Sequence, residues 1–171
     1  NAAEFTQTGH LPDPVNPGPH GAGIKSYYTS LEYGGVQFAI LEDRKWKSPP
    51  SKVLKKQIIP RGVELPKKLR NHTGIEVVLD PDFDCTKLDD AQLHLLGKDQ
   101  EEFLADWSSE LKESGQIGAV ISASPWIHVA MYSATFADLD SNAWPQSARN
   151  RALRAIGDAP VVMLHGDVHL G

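Results

Sequence analysis

Apolar residues recur along this chain with two different spacings. In the stretch from Ser26 to Tyr33, Tyr27, Thr29 and Leu31 alternate with polar neighbours, the period-two pattern of a half-buried strand. Gly34-Gly35 then turns the chain into the apolar run Val36–Leu41, which together predicts a β-hairpin. The second strand ends in Glu42-Asp43-Arg44, where charged groups mark the exit from the core. Ile75–Leu79 suggests a further short strand. From Lys98 to Lys112 the spacing changes: Phe103, Trp107 and Leu111 recur every fourth residue with Leu104 beside them, which predicts an amphipathic helix. Asp99 and Glu101 in its first turn and Lys112 in its last suit the helix dipole, and Gly115 ends it. A buried strand is expected from Gly118 to about Pro125, a second helix from Pro145 to about Ile156 with Gly157 as its stop, and a last buried strand over Pro160–His165. Apolar strands separated by helices indicate the α/β class.

Composition narrows this picture. The chain has 171 residues and one cysteine, Cys85, which excludes an internal disulfide and a cysteine-based zinc cluster. No apolar run approaches the roughly 20 residues that span a bilayer. The net charge of −5 argues against general nucleic-acid binding. That charge is unevenly spread. Arg44 to Arg70 holds ten basic residues against the single acid Glu64, a net of +9, so the remainder carries −14. Four prolines in the same stretch deny it a long helix. Three regions follow: hairpin strands over 24–44, a basic, proline-containing insertion over 45–92, and a helix-strand-helix-strand unit over 93–171. Residues 8–23, with four Pro and four Gly, form an irregular lead-in. The basic run is either a solvated loop or a positive rim that attracts anions. The chain starts with Asn and stops two residues after a His-rich strand end, and both ends read as cut.

Open α/β sheets collect ligands beyond their strand ends. Three predicted ends carry reactive residue types: Glu42-Asp43-Arg44, Ser122-Ala123-Ser124-Pro125 and His165-Gly166-Asp167-Val168-His169. If the last strand stays extended, His165, Asp167 and His169 share a face, and two imidazoles with a carboxylate can bind Zn, Fe or Mn. Spacing alone equally allows a polar strand terminus with a hydrogen-bonded histidine. Asp80, Asp82 and Asp84 resemble the start of a calcium loop, but Cys85 stands where that loop needs Gly and Ala91 where it needs Glu. There is no Gly-x-Ser-x-Gly elbow and no Gly-rich phosphate loop.

Several segments resemble, in order, the central-to-C-terminal part of the PhoD-like alkaline phosphatases/phosphodiesterases of the calcineurin-like metallophosphoesterase superfamily. These are Tyr33–Arg44, with Leu-Glu-Asp-Arg in place of Leu-Asp-x-Arg; Leu96-Gly97 with Gln100 and Phe103-Leu104; Ala119–Pro125; Trp144, Pro145, Arg149 and Leu153; and His165–His169. The resemblance implies part of a four-layer α/β/β/α sandwich lacking the N-terminal strands. It implies hydrolysis of phosphate mono- or diesters by a metal-activated water at a dinuclear centre, Fe3+ with Ca2+ or a Zn2+, Mn2+ or Mg2+ pair. By the match, His169 is a metal ligand and Asp167 a ligand or a group that orients one. His165 faces the phosphate or orients a ligand, and Arg44 contacts a phosphate with its planar fork. The family's two N-terminal ligand-bearing turns have no counterpart here. The chain is therefore expected to hold an incomplete metal pair, to expose an apolar edge, and to self-associate or take the missing strands from a second chain. Family membership also implies export to the periplasm or the extracellular space. The competing reading is a non-catalytic fragment or degenerate homologue that binds a phosphate-bearing partner through the basic rim.

Overall fold

A computed structural model of the chain describes residues 6, 8–19, 23, 25–53, 77–78, 85–126, 131–133, 136–138 and 144–166. The elements follow the order read from the sequence. Strands β1 (Thr29–Tyr33) and β2 (Val36–Ile40) form an antiparallel hairpin with Tyr33 opposite Val36. Gly34 and Gly35 both adopt positive φ, 61° and 78°, as a tight two-residue hairpin turn requires. Helix α1 (Lys98–Ser114) leads to β4 (Ile117–Ser122), and helix α2 (Gln146–Ile156) leads to β7 (Val161–His165). The main sheet has the order β1-β2-β4-β7, with β2, β4 and β7 mutually parallel.

A second, three-stranded sheet joins β3 (Val77–Val78), β6 (Phe136–Asp138) and β5 (Met131–Ser133), all antiparallel. The strand expected near 75–79 is thus present over two residues. The sequence pattern assigned no strands to 127–143, because pieces of three residues are too short to show a period.

Both helices pack on one face of the main sheet. Leu104, Trp107 and Leu111 of α1 and Ala148, Ala152 and Ile156 of α2 form one buried cluster with Ala39 and Val120. Helix and sheet approach closely at Gly118, where a Cβ would lie 2.6 Å from both Leu111 and Trp107. Only glycine lets α1 sit so low. The start of α2 is capped from a distant segment. Asp89 accepts hydrogen bonds from the Ser147 amide (2.7 Å) and the Ser147 hydroxyl (2.9 Å), putting a carboxylate at the positive end of the helix dipole.

The opposite face is also apolar, but open. Strand alternation places Tyr33, Phe38, Ile40, Ile117, Ile121, Val162 and Leu164 there. Tyr33 is 78% exposed, Ile117 60%, Val162 57% and Leu164 47%. The expected apolar exposure is therefore a face of the sheet rather than an edge. No helix among the described residues is long and apolar enough to cross a membrane.

Candidate functional site

Because β2, β4 and β7 are parallel, their C-terminal ends lie together at one side of the sheet. The register sets Ile40 beside Ile121 and Ser122 beside His165, and the Leu41 amide extends the β2–β4 pairing to the Ile121 carbonyl (2.9 Å). Two of the three strand ends singled out in the sequence thus meet directly, and the third closes over them.

Asp43 holds the centre. It lies two residues beyond Leu41, the last paired position of β2, and is fully buried. Such burial is unusual, since a lone carboxylate is rarely taken out of water. Its Oδ2 accepts from the Ser122 hydroxyl (2.8 Å) and the Ser124 amide (2.8 Å). The indole of Trp126 donates to the same Ser122 oxygen (2.9 Å). The Asp43 carboxylate therefore fixes the turn that follows β4.

The turn in turn fixes His165. Its Nδ1 lies 3.0 Å from the Ser124 carbonyl oxygen, and its ring packs at 6.0 Å from that of Trp126. A carbonyl oxygen can only accept, so Nδ1 carries the hydrogen, and in the neutral ring Nε2 keeps its lone pair. Burial pushes the imidazole pKa down, against smaller upward effects from the Ser124 bond and the Asp43 charge. Gly166 follows, with its amide on the Ser122 carbonyl (3.1 Å). A Cβ there would lie 3.3 Å from the Ala123 carbonyl oxygen, so the backbone passes close over the turn.

Three polar atoms of this cluster are buried without a hydrogen-bond partner among the described residues: Asp43 Oδ1, Ser124 Oγ and His165 Nε2. Buried polar atoms are nearly always satisfied, so three orphans at one strand-end cluster are unusual. Oxygen and imidazole lone pairs are also the donor types that hard and borderline cations take. Among the described residues, however, no group of three or more His, Cys, Asp or Glu side chains is placed to hold a metal. Asp167 and His169, the expected ligands, lie outside the described residues, as do the Asp80–Asp84 run and His72.

Arg44 is exposed one residue beyond Asp43, at the rim of this cluster. Lys45 beside it pairs with Glu42 (3.2 Å) and donates to the Lys25 carbonyl (3.0 Å). The strand exit is further tied to α1 by Gln100. Its side-chain amide accepts from the Glu42 N–H (2.9 Å) and donates to the Glu42 and Leu96 carbonyls (2.8 Å each). Trp144 is buried and donates from its indole to the Ser48 carbonyl (2.9 Å). Sequence reasoning missed Asp43 as the organiser. The available signal was the Ser-x-Ser at the end of β4, which offers two donors to a neighbouring strand end.

Among curated proteins, none matches the chain. A solved structure described as that of PhoD aligns over 94% of this chain with a TM-score of 0.52 at 21% identity, a likeness of fold. The present chain spans 26% of that longer protein. The family model described as PhoD-like phosphatase matches residues 10–171, nearly the whole chain, which accordingly belongs to the PhoD-like phosphatase family.

Proposed function

We propose that this chain is a central-to-C-terminal part of a metal-dependent phosphoesterase that hydrolyses phosphate mono- or diesters at the ends of β2, β4 and β7. The observation that carries this reading is the convergence of three parallel strand ends on one buried polar cluster, with unspent lone pairs on Asp43, Ser124 and His165. The chain then runs from that cluster into Gly166-Asp167-Val168-His169.

In this reading His169 and Asp167 hold the metal centre, with the remaining ligands supplied from outside the chain. When bound, two close cations supply charge neutralisation at the phosphoryl oxygens and acidify a water. Arg44 binds the phosphoryl group with its planar fork, and the basic residues that follow raise the local concentration of anionic substrate. His165 offers Nε2 as a hydrogen-bond acceptor beside the reacting group, while Trp126 and the β4 turn keep bulk water off its other side. The open apolar face is taken up by a second sheet, which completes the four-layer sandwich. The enzyme is exported, as family membership implies.

The test is turnover of aryl phosphate mono- and diesters by the full-length protein loaded in turn with Fe3+/Ca2+, Zn2+, Mn2+ and Mg2+. Activity should appear with at least one metal set, and His169→Ala should abolish it. A fully loaded protein inert to both substrate types would overturn the hydrolase reading. A binding module would instead keep its anion affinity in His169→Ala and lose it when the 44–70 lysines are neutralised.

A further inference from the structure

We infer that Asp43 is a positioning residue that sets the tautomer and orientation of His165 through Ser124. The inference rests on the proposed role of His165 in phosphoester hydrolysis and deepens it. Asp43 is fully buried, and the donors it engages, the Ser122 hydroxyl and the Ser124 amide, are neutral. Among the described residues its hydrogen bonds come from neutral donors, and a buried carboxylate so held contributes little to stability compared with an apolar residue of similar shape. What it does achieve is geometric. Oδ2 grips the Ser124 amide at 2.8 Å, and the carbonyl of the same residue takes the Nδ1 hydrogen of His165 at 3.0 Å.

One residue therefore passes the constraint from carboxylate to imidazole. The Ser122 hydroxyl adds a second hold and is itself aimed by the Trp126 indole, whose ring packs on His165. With the Nδ1 hydrogen committed to Ser124, the neutral ring presents a bare Nε2, and that atom has no partner among the described residues. Functional histidines are commonly oriented in this way by the group bound to their other nitrogen. Here the carboxylate acts at one remove, through the backbone of Ser124.

The prediction concerns a directly observable state. Long-range 1H–15N NMR on histidine-labelled protein, with the His165 signals identified by their loss in His165→Gln, reports which ring nitrogen carries the hydrogen. The wild type should show the Nδ1–H form at neutral pH. Asp43→Ala should lose that single form and give an average of the two tautomers. Asp43→Asn, which keeps an oxygen for both donors, should retain it. In the full-length enzyme Asp43→Ala should lower kcat more than it raises KM, with turnover recovered in Asp43→Asn. A wild type in the Nε2–H form overturns the inference without any variant. So does an Asp43→Ala protein that keeps the Nδ1–H form. Because the NMR measurement needs no turnover, an inert enzyme with the expected tautomers would count against the hydrolase reading alone.

Discussion

The two faces of the main sheet carry almost the same chemistry and opposite surroundings. On one, Ala39 and Val120 are sealed beneath α1 and α2. On the other, Phe38, Ile40 and Ile121 continue the apolar surface, but Ile117, Val162 and Leu164 stand in solvent. Parallel strands normally have both faces covered, and their sequences are apolar on both sides for that reason. The open face is thus built for burial, and its strands read as buried although half of each is bare. An apolar strand sequence shows that a face is suited to cover. It does not show that the same chain provides the cover.

Substitutions on the two faces turn that contrast into numbers. The largest effect is expected on the covered side. Leu104 is fully buried between helix and sheet, and Leu104→Ala should cost about 2–5 kcal/mol in denaturant unfolding. On the open side, the paired change Val162→Thr with Leu164→Thr keeps β-propensity close to its present level and should shift stability by only about 0.5 kcal/mol. It should also reduce any self-association seen by sedimentation, since it removes exposed apolar area. A loss on the open side as large as that of Leu104→Ala would mean that this face is already covered in the isolated chain.

The smallest effect lies away from both faces, at the exposed pair of Lys112 with Asp158 (3.0 Å) joining the end of α1 to the turn between α2 and β7. The Lys112 hydrogen bond holds the Asp158 carboxyl below its ordinary value of 3.8. The pair's contribution is therefore present above that ordinary value and is lost as the pH falls through the lowered one. Asp158→Asn should melt slightly below the wild type at neutral pH in low salt, and the difference should vanish in strong acid or high salt.

Much of this was legible in the sequence because the longer elements obey simple periods. The Gly34-Gly35 turn, the four-residue spacing of Phe103, Trp107 and Leu111, and the Pro145 and Gly157 boundaries of the second helix all reappear in the structure. The meeting of the strand ends also followed, since parallel topology brings them together. The role of Asp43 did not follow. In the sequence it is one of the charged groups that mark the strand's exit from the core, and its hydrogen-bond donors come from the turn after β4, far away in the chain. The same limit applies to the paired segments 131–133 and 136–138, whose pairing is decided by neighbours in space rather than by local pattern.

Gln100 deserves a mechanical reading. Its amide spends both N–H groups and one carbonyl lone pair on backbone, engaging Glu42 from both sides as an adjoining strand would. Few other side chains can do this; Glu lacks the donors and Leu has no polar group at all. The first turn of α1 and the exit of β2 are consequently one part, despite lying 58 residues apart in the chain. The backbone next to Asp43 is thereby anchored to a 17-residue helix rather than left as a free strand end.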